Sequence, residues 1–109
     1  MEILPLHPLL DENQDGSKQN KHYDSQEEPC ILTMEKKRTV NQLLGWSLIN
    51  QDKYWCRLGE KDDPDQEMGK IEAYKRYHNT LKGLVIKDPT ILEMTAVKAY
   101  ERHGIEWRY

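Results

Sequence analysis

The sequence predicts an all-α protein, a small bundle of three helices with a mostly disordered acidic arm in front of it. Apolar residues recur at steps of three and four between residues 40 and 103, the period of a helix with one buried face. Asp63-Pro64 and Asp88-Pro89 open two of these stretches, and Gly59, Gly83 and Gly104 close all three. One folded domain follows, the helical body over 34–109, preceded by a flexible acidic arm over 1–33.

The arm begins with an apolar patch, Ile3 to Leu10, in which Pro5 and Pro8 forbid a regular helix or a central strand. From Asp11 to Glu28 the chain is Asp, Glu, Asn, Gln, Ser, Lys and Gly, with Tyr23 as its one large apolar residue. Such a composition buries too little surface to offset the entropy of ordering it, and it reads as a flexible tether. The apolar tip then either docks on a partner or folds back on the chain's own helices.

The first helix is predicted over about 39–58, with Thr39 as N-cap and Gly59 as the residue that ends it. Val40, Leu43, Leu44, Leu48, Trp55 and Leu58 form its expected inner side, and Gly45 or the polar run from Asn50 to Lys53 marks where it would bend. The second helix runs over 64–82. Asp65 and Glu67 complement its positive end, while Lys75, Arg76, His78 and Lys82 complement its negative one before Gly83 stops it. Met68, Ile71, Tyr74, His78 and Leu81 share a face, with Tyr77 alongside. Leu84-Val-Ile-Lys87 reads as an apolar connector covering one end of the core. The third helix, 89–103, has the widest apolar face, and Gly104-Ile105 suits a Schellman ending. Trp107 and Tyr109 close the chain as expected core cover.

Charge is unevenly distributed. Residues 1–33 hold seven acidic and two basic side chains, leaving 14 basic and 12 acidic for 34–109. The body therefore lacks the strong basic excess of a domain built to grip a phosphate backbone. The only cysteines, Cys30 and Cys56, do not form the dense framework of a small secreted domain, and no run approaches the ~18 apolar residues of a membrane helix. The N-terminus starts with an acid and lacks a basic leader segment, so the expected location is intracellular and cytoplasmic, with no membrane association.

Chemistry-bearing motifs are thin. Asp11-x-Asn13-x-Asp15-Gly16 resembles the front half of a calcium loop, but its twelfth position is His22 where a bidentate Glu is required. His7, His22, His78, His103 and the two cysteines show no zinc-ligand spacing, and no glycine-rich phosphate loop is present. No nucleophile has a base at a recognisable spacing. The expectation is a chain that is not an enzyme, with no catalytic residues, no cofactor and no metal.

Three tryptophans and six tyrosines with no phenylalanine favour a different class, because Trp and Tyr are enriched at interface hot spots. The expected function is that of a small protein-binding protein: an adaptor, an inhibitor or an accessory subunit of a larger assembly. Leu6, Leu9, Leu10, Tyr74, Tyr77, Trp107 and Tyr109 are its candidate contacts, and self-association is a further option. The alternative is a nucleic-acid-binding regulator that uses Lys36, Lys37 and Arg38 with a basic face of the second helix, Lys70, Lys75, Arg76 and Lys82.

Overall fold

The computed structural model describes residues 2–10, 28–60 and 63–109. It is mostly helical, with four α-helices, one 3₁₀ helix and a strand pair among the described residues. The order is β1 (Glu2–Leu6), α1 (Cys30–Lys37), α2 (Val40–Arg57), α3 (Pro64–Lys87), the 3₁₀ helix (Pro89–Glu93), α4 (Ala96–His103) and β2 (Ile105–Arg108). The all-α class holds, and the count of three helices is corrected to four.

The helix that periodicity missed is α1. It spans two turns, too few for an apolar repeat to stand out, and it buries only Ile31 and Glu35, which lie four residues apart on one face. Lys36 and Lys37 occupy its last turn, where cations suit the dipole.

Helix α2 begins where Thr39 predicts, with a full capping box: Gln42 N–H donates to the Thr39 hydroxyl and Thr39 N–H to the Gln42 side chain. It runs unbroken through Gly45 and Asn50. Its inner face differs from the expected one, because Val40, Leu43, Ser47, Asn50 and Tyr54 point inward while Leu48 and Trp55 point out. Burial of two polar residues is affordable here because each bonds its own helix, Ser47 Oγ to Leu44 O (2.8 Å) and Asn50 Nδ2 to Trp46 O (2.9 Å).

Asp63 caps α3 as its Asp-Pro pair predicts, accepting from Asp65 N–H (3.0 Å). The helix does not stop at Gly83. It continues through Leu84-Val-Ile-Lys87, which is its last turn and not a connector; buried Leu84 extends the face of Ile71, Tyr74, Tyr77 and Leu81. Arg57 beside Glu67, Tyr54 stacked on Tyr74 and Trp46 edge-on to Tyr77 place α2 and α3 antiparallel.

Residue Gly83 thus lies mid-helix, and a Cβ there would meet nothing within 4 Å. Gly83→Ala is expected to raise stability by ~0.5–1 kcal/mol, the usual helical difference between the two residues. A denaturant midpoint that stays put or falls would show that the helix ends earlier.

The predicted third helix is divided. Asp88 caps a 3₁₀ turn by accepting from Thr90 N–H, the backbone opens out at Met94, and Thr95 caps α4. The division has a partner across the fold. Thr39 and Thr95 form an antiparallel bridge in which Val40 N–H donates to Met94 O (2.8 Å) and Ala96 N–H to Arg38 O (3.2 Å), tying the starts of α2 and α4 together. Gly104 then ends α4 in the left-handed region, φ 65°.

The chain ends pair with each other. β1 lies parallel to β2, Glu2 opposite Ile105 and Leu6 opposite Arg108, with an irregularity between Ile3 and Leu6 where Pro5 has no N–H to give. His7, Leu9 and Ile31 are buried in the core, so the described ends of the segment assigned to the arm pack on the body. The Asp11–Gly16 motif, His22 and Tyr23 lie outside the described residues.

Candidate functional site

Glu35 on α1 projects into the centre of the fold, where it is fully buried and every partner comes from a different element. Leu9 N–H donates to His7 Nδ1 (3.1 Å), so the ring proton sits on Nε2, which donates to Glu35 Oε2 (3.1 Å). The hydroxyls of Tyr77 on α3 and Tyr100 on α4 donate to the same oxygen, each at 2.7 Å. Tyr109, beyond β2, donates to Oε1. The His7 ring packs on Trp107 (centroids 4.7 Å apart), Tyr77 (5.0 Å) and Tyr109 (5.3 Å).

Burial pushes the Glu35 carboxyl toward neutrality, but hydrogen bonds from His7, Tyr109 and Tyr77 outweigh it and hold the group below its ordinary value of 4.5. The same burial raises Tyr77, Tyr100 and Tyr109, each of which would become an anion beside a carboxylate. Four donors use the acceptor capacity of one carboxylate. Three of them crowd Oε2 and one takes Oε1, so this Glu is a clasp for both chain ends. Trp107 Nε1, buried without a well-formed partner, bears on the Tyr100 hydroxyl and lowers it slightly against burial.

Acid should open the clasp. A carboxyl with a depressed folded pKa contributes stability that is fully present above its unfolded value and is lost as pH falls through its folded one. Asp88 adds the same sign, held to about 2 by the Thr90 hydroxyl and then by His103 and Arg102. The thermal midpoint is expected to fall steeply below about pH 4.5, after a shallower loss from the His78 imidazole, which burial holds below its ordinary value. A midpoint unchanged at pH 3 would contradict the ionised clasp.

Leu9, Tyr74, Tyr77 and Trp107, four of the predicted contact residues, are core residues here; Leu10 is half-buried, and Leu6 and Tyr109 reach the surface. Burial of Tyr77 serves the central carboxylate, to which its hydroxyl donates. A shallow groove of about 270 Å³ lies over this region, lined by Leu4, Pro5, Pro8, Arg76, Asn79, Thr80 and Trp107.

The basic residues are not gathered on one face. Lys36 pairs with Glu28 (2.7 Å), Arg38 lines a second groove with Met34 and Trp46, and Arg76 lines the first. Along α3, Lys75 and Lys82 share a side, whereas Lys70 and Arg76 point elsewhere at roughly 100° per residue. Lys70 instead stands over Tyr54, together with Lys53 and Arg57 of α2. No group of three or more His, Cys, Asp or Glu that suits a metal occurs among the described residues.

The surface feature that the periodicity concealed is on α2. Leu48 is 48 % exposed, Ile49 67 % and Trp55 55 %, and their spacing puts them on one side of the helix with Gly45 and Cys56. The signal was present in the sequence, since α2 has more apolar positions than one face can hold.

A family model described as a protein of unknown function (DUF3310) matches residues 17–76. No curated protein and no solved structure matches the chain. The matched segment contains α1, α2 and the first half of α3, and with them Glu35, the exposed stripe and the cations around Tyr54; His7, Tyr77, Tyr100 and Tyr109 lie outside it.

Proposed function

The chain belongs to the DUF3310 family, and we propose that it works by binding another protein, as an adaptor, an inhibitor or an accessory subunit, through the outer face of α2. The observation that carries this reading is the exposure of Leu48, Ile49 and Trp55 together. Scattered surface apolar residues need no explanation, but three large ones on one helical side, opposite a face already filled by the core, do. Trp is among the residues most enriched at interface hot spots. The stripe also lies within the family-matched segment. A nucleic-acid-binding regulator using the second long helix has weaker support, because the lysines and arginines of α3 divide among different faces.

A photo-crosslinking residue in place of Trp55 in the full chain tests the reading, with Lys98 on the exposed side of α4 as the control position. Discrete adducts formed in source cells from position 55 and not from position 98 are expected, and Leu48→Glu should remove them while leaving the fold intact. Adducts that are equal at both positions, or none at 55, would discard the α2 contact.

A further inference from the structure

At the loop end of the α2–α3 pair, three cations converge on one aromatic ring. Lys53 Nζ lies 4.8 Å from the Tyr54 centroid, Lys70 Nζ 5.1 Å and the Arg57 guanidinium carbon 5.6 Å. Any two of them are therefore within roughly 11 Å of each other, close to one Debye length at 0.1 M salt, so their mutual repulsion is only partly screened. Cation–π attraction and stem packing account for a long basic side chain lying on a ring. They do not account for three cations around one tyrosine with so little counter-charge among the described residues.

Among the described residues the one carboxylate ion-paired with this trio is Glu67, and its contact is loose: Oε2 is 3.9 Å from Arg57 Nη2. Glu67 is 1 % exposed, yet its Oε1 is buried without a hydrogen-bond partner, and so is Arg57 Nε. An unpaired buried polar atom costs ~1–3 kcal/mol. Here a donor and an acceptor stand unpaired on adjacent side chains, and the two lysines over Tyr54 pair with no described carboxylate.

We propose that this cluster binds a small phosphate-class polyanion, with Lys53, Arg57 and Lys70 as its ligands. A phosphoryl group offers charged oxygens to the lysines, an acceptor to Arg57 Nε and, when it carries a proton, a donor to Glu67 Oε1. That combination fits a protonated phosphate better than sulfate, which carries no proton near neutral pH. Three cations match the charge of two or three linked phosphoryl groups better than that of one. This site lies beside the α2 stripe and stands independently of the protein-binding reading.

The test is titration calorimetry of the full chain with phosphate, pyrophosphate, tripolyphosphate and sulfate at matched ionic strength. Saturable binding that tightens from phosphate to tripolyphosphate, with sulfate weakest, is expected. Lys53→Gln and Lys70→Gln should each weaken it at least about tenfold, since each deletes one charge contact at short range. Lys98→Gln should leave it unchanged. Equal heats from all four anions, or affinity unaffected by the two cluster variants, would overturn the proposal. A single-stranded oligonucleotide is the comparison: if it binds more tightly than tripolyphosphate and loses binding in the same variants, a nucleic-acid backbone replaces the small polyanion and the proposal fails as stated.

Discussion

Glu35→Ala should lower the stability of the chain by about 3–5 kcal/mol, the range for removing one partner from a buried charged network. Four donors would be left facing a cavity: the hydroxyls of Tyr77, Tyr100 and Tyr109 and the Nε2–H of His7. Three of them cannot turn to water without unpacking, because His7, Tyr77 and Tyr100 are 95 % or more buried; Tyr109 alone reaches the surface. The loss is a large share of the ~5–15 kcal/mol that a natural domain has in total. Urea unfolding followed by tryptophan fluorescence measures it, since Trp107 packs on His7. Glu35→Gln keeps the shape but presents an amide donor to a set of donors, so it should recover only part of the loss. A cost below about 1 kcal/mol for the alanine variant would mean that water fills the site and the network contributes little.

Much of the scaffold was legible because caps are local. Thr39, Asp63, Asp88 and Gly104 act through bonds to residues two or three positions away, and each acts where the sequence places it. Gly83 failed as a stop because a glycine does not end a helix when the following Leu84 has a core to enter; tertiary burial outweighs the ~1 kcal/mol of propensity. The inner face of α2 was misread for a related reason. Apolar residues exceed one face, so periodicity alone does not say which of them turn inward, and Ser47 and Asn50 enter the core only because they bond back to their own helix.

The clasp was written in the composition. Six tyrosines with no phenylalanine means that every large single-ring aromatic available to the core brings a hydroxyl, and buried hydroxyls require an acceptor. Nothing in the sequence singles out Glu35 among the 19 acids as that acceptor. What no local pattern shows is that residues 7, 77, 100 and 109 meet at that carboxylate, since such contacts belong to the tertiary fold. The same limit applies to the cations around Tyr54, which come from two helices consecutive in the chain.

Deletion of residues 1–10 should abolish cooperative folding, although the sequence alone leaves open whether this apolar tip docks on a partner or folds back on the chain's own helices. The deletion removes Leu9, which is fully buried, and a buried Leu reduced to Ala costs ~2–5 kcal/mol by itself. It removes His7, and with it one of the four donors that hold Glu35 ionised in the interior. It also strips β2 of its only paired strand among the described residues, so Trp107 loses both its backbone anchor and the imidazole it packs on. These losses share contacts and do not add simply, but together they approach the whole stability of a small domain. Near-ultraviolet circular dichroism should collapse while helical signal partly survives, and a synthetic peptide of residues 1–10 added in trans should restore the aromatic signal. Ile3→Ser, at an exposed position of the same segment, should stay within about 0.5 kcal/mol of the parent. A truncated chain that unfolds cooperatively with an unchanged midpoint would mean that β1 and His7 rest on the body without holding it.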